Sequence, residues 1–98
     1  MTFERMEKDG KMILAMKGMI DFNSAAETNT EIKNCIALTD DLTLDFKDVE
    51  YVSSAGLRVI LQARDAMEGK GRLTLINVNE ELMDTFDITG FLDILNIE

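Results

Sequence analysis

Ser53 and Ser54 stand side by side where a strand-forming stretch gives way to a helix-forming one, in Asp45-Phe46-Lys47-Asp48-Val49-Glu50-Tyr51-Val52-Ser53-Ser54-Ala55-Gly56-Leu57-Arg58. A hydroxyl at a helix start can cap the helix. It can also carry a phosphate, because free N–H groups and the helix dipole favour an anion there. A serine nucleophile would need a base, and the chain has no histidine to supply one. The flanks are not Gly-x-Ser-x-Gly either. The serine pair therefore points to a protein that is modified, a switch, and not to an enzyme; no catalytic residue is assigned.

Composition removes other chemistries. With one cysteine, Cys35, and no histidine, neither an internal disulfide nor a His/Cys zinc site can form. An all-carboxylate magnesium or calcium site is not excluded by composition, but no metal or cofactor is assigned. No Gly-rich phosphate loop is present. Asp40, Asp41 and Asp45 invite comparison with a phospho-receiver domain. The β-β start, the short length and the lack of a lysine after the last strand argue against it. No run approaches 18 apolar residues, and the start, Met1 to Glu7, lacks the order of a signal peptide. A cytoplasmic protein is expected, with Cys35 reduced.

The net charge is −9. After Arg72 come six acids and no bases: Glu80, Glu81, Asp84, Asp87, Asp93 and Glu98. Asp40 to Glu50 holds five acids and one lysine. Such a surface repels nucleic acid and anionic lipid and favours a basic protein partner. The plainer reading is that acids keep a small protein soluble.

The elements that must position the serines are read from pattern. Phe3 to Glu7 is a weak strand, Asp9-Gly10 a turn, and Lys11 to Gly18 a strand with a largely buried middle, which together suggest a hairpin. Ser24 followed by Glu27 matches a capping box. Ala25, Ala26, Ile32, Cys35 and Ile36 then recur at helical spacing. Leu42 to Phe46 reads as a short buried central strand. Leu57, Ile60, Leu61 and Met67, widened by Val59 and Ala63, form the stripe of the next helix, which Gly69 and Gly71 stop. Arg72 to Val78 is another strand. Asn79 caps a third helix with Leu82 and Phe86 inward, and Gly90 ends it. Phe91, Leu92, Ile94 and Leu95 suggest a final helical turn or two on the sheet. The order is β-β-α-β-α-β-α-α, a single α/β domain over residues 1–98 with a small mixed sheet. The helical crossovers imply parallel pairing of the later strands.

Tyr51-Val52-Ser53-Ser54-Ala55-Gly56-Leu57 resembles the signature of the STAS domain, as in anti-sigma factor antagonists. Gly18-Met19-Ile20-Asp21 is similar to that family's Gly-x-Leu/Ile-Asp, and Phe86-Asp87-Ile88-Thr89-Gly90-Phe91 to its Phe-x-Leu-Thr-Gly segment. The resemblance covers nearly the whole chain in the same order. It implies a partner switch. The unphosphorylated antagonist would bind an anti-sigma factor that is also a serine kinase, and so free the sigma factor. Phosphorylation of the serine matching Ser54 would release it, and a PP2C-type phosphatase would reset it. ATP belongs to the kinase, so the domain needs no cofactor of its own. A monomer is expected when free. The alternative is a STAS scaffold in a larger regulatory complex with a non-sigma output.

On this resemblance Ser54 is the phosphoacceptor, and Asp21, Ser53, Ala55, Gly56, Leu57 and Arg58 lie near it or touch the partner. Duller readings stand beside these. Ser54 sits at or next to the expected N-cap and can be only a cap, while Ser53 is the rival cap and rival acceptor. Well-known antagonists often carry Asp where this chain has Ser53. Gly56 fits either close approach of a partner's backbone or tight packing of helix on sheet. With the site expected at the surface, Gly56→Glu is expected to abolish partner binding and leave the fold largely intact. Asp21 is a surface acid near the acceptor or a turn residue. Arg58 is a solvated side chain or the partner of a phosphate or an acid. Met83 and Phe91 are candidate exposed partner contacts, or else core filler. Cys35, on the apolar stripe, is expected to be a small buried hydrophobe with no basic neighbour.

Overall fold

In the computed structural model, which describes residues 1–98, four strands form one sheet in the order β1-β2-β3-β4. Asp9 and Gly10 both take positive φ, which closes a tight turn between β1 (Thr2–Lys8) and β2 (Lys11–Ile20). Those two strands pair antiparallel as a hairpin. Helix α1 (Ala25–Ile36) then carries the chain to β3 (Asp41–Val52), and α2 (Ser54–Met67) carries it to β4 (Arg72–Ile76). Both crossovers produce parallel pairs, β2 with β3 and β3 with β4. Helix α3 (Glu80–Ile88) starts at Asn79, whose side chain accepts the Leu82 N–H at 2.8 Å. It ends at Gly90, in the left-handed conformation at φ 79°.

Register puts Met12, Leu42 and Leu73 in one row and Leu14, Leu44 and Leu75 in the next, all buried. Against them pack Ile32, Cys35 and Ile36 of α1 and Val59, Ile60, Ala63 and Met67 of α2, in one continuous core. Leu82 and Phe86 of α3 complete it. A fully buried Leu or Phe contributes about 1.5–3 kcal/mol, more than a helix cap or an exposed ion pair. The core therefore fixes where the strand ends fall, and the caps trim the adjoining helices.

Four expectations need correction. The capping box does not form: Ser24 makes no cap hydrogen bond, and Glu27 lies 3.4 Å from the amino terminus of Met1. Ala26 faces solvent, and Thr28 fills the buried position, its hydroxyl donating to the Ser24 carbonyl at 2.8 Å. The central strand does not stop at Phe46 but runs on to Val52. The last segment is one 3-10 turn (Phe91–Asp93); Leu95 is buried, whereas Ile94 is 40% exposed. Beyond it the chain lies beside β4, with Leu75 N–H donating to Asn96 O and Glu98 N–H to Leu75 O, both at 2.9 Å.

Cys35 is buried, and burial pushes its thiol up. The expectation of no basic neighbour also needs correction, because Arg5 on β1 opposes that rise and itself donates to Glu31 of α1 at 2.8 Å. Desolvation is the larger effect, so the thiol stays protonated and inert.

Candidate functional site: a helix start between two strand ends

The site is built where β2 and β3 end side by side. Met19 is paired with Tyr51 and Ile20 with Val52. The ladder reaches that alignment through two register shifts, between Ala15 and Lys17 and between Gly18 and Met19, and in both the extra residue is on β3. Bulges bend a strand and re-aim the residues beyond them; here they explain why Phe46, Val49 and Val52 are the buried residues of this half of β3. The Ser53 N–H then donates to the Ile20 carbonyl at 2.9 Å, tying the two strand ends together.

Ser53 is the N-cap of α2. Its backbone is extended at φ −83°, ψ 180°, and its Oγ accepts the Gly56 N–H at 3.4 Å. Ser54 is the first helical residue, one position beyond the cap; its side chain is exposed and hydrogen-bonded to no protein group. Ser53 therefore caps the helix and Ser54 does not. Ser53→Ala is expected to cost about 0.5–1 kcal/mol, the low end for a cap because the bond is long. Denaturant melting measures this, and a variant as stable as wild type would show that the cap contributes nothing.

Of the two readings of Gly56, the structure supports tight packing of helix on sheet. It is buried, and a Cβ there would lie 2.5 Å from the Ile20 carbonyl oxygen, 2.8 Å from Val52 Cγ1 and 2.9 Å from Ile20 Cγ2. No side chain fits, so Gly56 serves the close packing of α2 on the strand ends. The expectation that it is exposed, and that Gly56→Glu would leave the fold intact, is therefore wrong.

Asp21 is a turn residue. Its Oδ1 accepts the N–H groups of Asn23 at 2.9 Å and Ser24 at 3.2 Å, and its carbonyl accepts the Ala25 N–H at 2.8 Å. Ser24 Oγ donates to the Met19 carbonyl at 2.6 Å and accepts the Asp21 N–H at 3.0 Å. This closed set of bonds holds the turn after β2 directly beside Ser53. Ala55 and Leu57 are half-buried, and Arg58 is exposed one helical turn after Ser54.

Three apolar side chains that sequence reasoning passed over stand open here. Phe22 is 87% exposed, Tyr51 52% and Met19 49%. Phe22 also lines a groove between α1 and α2, with Ala25, Ala26 and Asn29 on one side and Ala55, Arg58, Val59 and Gln62 on the other. A signal was present: an aromatic residue within the polar turn Asp21-Phe22-Asn23-Ser24 has no local reason to be there. Met19 and Tyr51 adjoin as register partners, and adjoining exposed apolar groups mark contact surfaces. Met83 and Phe91, by contrast, are half-buried, and Phe91 stacks on Phe86 with ring centroids 6.2 Å apart, so neither is an open contact.

Nowhere do three or more side chains of the His, Cys, Asp or Glu type converge as metal ligands, and no helix is long and apolar enough to cross a membrane. The class so defined is a small α/β domain with a mixed four-stranded sheet. It presents a free serine hydroxyl on a helix start at the carboxyl ends of two parallel strands. The chain belongs to the STAS domain family, which matches it over residues 2–98.

Among individual proteins, it is similar to the anti-sigma-B factor antagonist of Bacillus subtilis, with 36% identity over 81 residues, 82% of this chain and 74% of that one. Its fold matches an anti-sigma factor antagonist from Mycobacterium paratuberculosis with a TM-score of 0.90 at 18% identity, over 98% of this chain and 83% of the other. It also matches the antagonist SpoIIAA of Bacillus. The unphosphorylated form gives a TM-score of 0.76 at 16% identity, over 99% of this chain and 87% of SpoIIAA. The phosphorylated form gives 0.74 at 17%, over 99% and 91%.

Proposed function

We propose that this protein is an anti-sigma factor antagonist that works by partner switching in the cytoplasm, with Ser54 as its phosphoacceptor. Unphosphorylated, it binds an anti-sigma factor serine kinase and releases the sigma factor held by that kinase. The kinase transfers a phosphoryl group from ATP to Ser54 Oγ, the complex dissociates, and a PP2C-type phosphatase restores the hydroxyl. The domain is substrate and ligand and catalyses nothing.

The observation that carries this reading is the division of labour between the serines: Ser53 caps, and Ser54 presents a free, exposed hydroxyl. Two further features support it. The anti-sigma-B factor antagonist is a relative at 36% identity, and SpoIIAA, of the same fold, has been solved in both phosphorylated and unphosphorylated forms. The physics is also favourable. The first-turn N–H groups of a helix lack intrahelical acceptors, so a phosphate on Ser54 gains from them and from the dipole without unfolding the domain. It adds about −1.5 to −2 charges to a surface that a partner has met as a neutral hydroxyl. Partner contact is supplied by Ala55, Leu57 and Arg58, by Phe22 in the adjoining groove, and by Met19 and Tyr51 exposed at the strand ends.

Mapping of the phosphosite tests the acceptor. Protein purified from its native cells with phosphatases inhibited is expected to carry one phosphate, and fragmentation is expected to place it on Ser54. A phosphate found on Ser53 would reverse the two roles, since that modification would have to break the cap.

A further inference from the structure

The chain has four arginines, and three of them have an acidic partner: Arg5 with Glu31 at 2.8 Å, Arg64 with Asp65 at 3.2 Å and with Glu68 at 3.4 Å, and Arg72 with Glu98 at 3.1 Å. Arg58 has none. It is exposed, on the same helix as Ser54 and four residues beyond it. Residues at that spacing face each other on a helix surface, and an anion placed N-terminal to its cation is the favourable order.

We propose that Arg58 is the built-in counter-ion of phosphorylated Ser54: the guanidinium folds back one turn and donates two N–H groups to the phosphate oxygens. This rests on Ser54 being the acceptor. The surroundings leave Arg58 free for the task. Across the groove it faces Phe22 of the turn before α1 and Ala25, Ala26 and Asn29 of α1, and Ala55, Val59 and Gln62 of its own helix also line that groove; none of these is ionised. Asp21, after the end of β2, has Oδ1 occupied by the N–H groups of Asn23 and Ser24. Arginine suits the role because its planar fork matches a phosphate in two parallel bonds. The pairing also separates the two serines. Ser53 lies five residues before Arg58, off the shared face, and its Oγ is committed to the Gly56 N–H. In the unphosphorylated protein the same guanidinium is available to a partner's carboxylate, so forming the pair withdraws a cation from the contact surface as the phosphate arrives.

The test needs no kinase. Phosphoserine is incorporated at position 54 by codon reassignment in the full chain, as wild type, Arg58→Gln and Arg58→Lys, and the second ionisation of the phosphate is monitored by 31P NMR. A cation beside the phosphate favours its dianion, so the midpoint in wild type is expected about half a pH unit below that of Arg58→Gln. Arg58→Lys is expected to recover part of the difference. Because Arg58 is exposed, thermal melts of the three proteins are expected to coincide when unphosphorylated. Equal midpoints for wild type and Arg58→Gln, or no recovery by lysine, would overturn the pairing. Since the phosphate is installed by translation, either result is independent of whether a kinase modifies Ser54 in cells; mapping the phosphosite decides that separately.

Discussion

Gly56→Ala is expected to destabilise the protein by about 1–3 kcal/mol, although alanine is the better helix former by about 1 kcal/mol. The two effects oppose each other, and packing wins. A methyl at position 56 would overlap the Ile20 carbonyl oxygen at 2.5 Å, and backbone cannot swing aside as a side-chain tip can. Relief requires α2 to lift from the ends of β2 and β3, which breaks the Ser53 N–H bond to Ile20 and disturbs Val52 in the core. Gly56→Glu is expected to lose cooperative folding altogether. Urea denaturation monitored by circular dichroism measures both variants. An alanine variant as stable as wild type would contradict the packing role. Loss of partner binding in Gly56→Glu therefore reports on the fold and says nothing of the interface.

Phosphorylation of Ser54 is expected to lower affinity for the kinase at least about 100-fold, some 2.7 kcal/mol, while changing stability by no more than about 1 kcal/mol. The asymmetry arises from where the charge goes. In the free protein the phosphate stays in water at a helix start, close to N–H groups that favour it. In the complex it would be pressed against the partner and would lose hydration that a surface fitted to a hydroxyl cannot replace. Ser54→Glu is expected to reproduce this loss only in part, because a carboxylate carries less charge and fewer acceptors than a phosphate. Ser54→Ala is expected to bind close to wild type. Isothermal titration of the four forms against the purified kinase gives the comparison, and tight binding by the phosphorylated form would remove Ser54 as the switch.

What the sequence made legible was local in origin. Alternating and 3.6-period apolar residues place β2, α2 and β4 and the faces they bury. Asn79 and Gly90 read as the limits of α3 because a cap and a left-handed stop act on their own neighbours. The misreadings come from contacts that the local patterns do not encode. Ser24 and Glu27 satisfy a capping pattern, yet the Met19 carbonyl at the end of β2 takes the Ser24 hydroxyl, and Asp21 holds the turn instead. The second half of β3 loses its alternation to the extra residues at its bulges, so Phe46, Val49 and Val52 recur at threes and do not look like a strand. Nothing near Gly56 in sequence tells that Ile20 will press on it. The serine motif located the site, but only the helix start itself separates the residue that caps from the residue left free. The exposure of Met19, Phe22 and Tyr51 emerged only when the strand ends and the turn were placed.

The central claim is that the Ser54 hydroxyl is the point at which a partner is held or lost. Its most direct test is a paired capture from lysate of the native cells, with Ser54→Ala and Ser54→Glu as baits and quantitative mass spectrometry of what each retains. A serine kinase retained by the alanine bait and depleted on the glutamate bait is the predicted result. The same proteins in the same amounts on both baits would contradict the claim and make Ser54 a residue of the helix start alone.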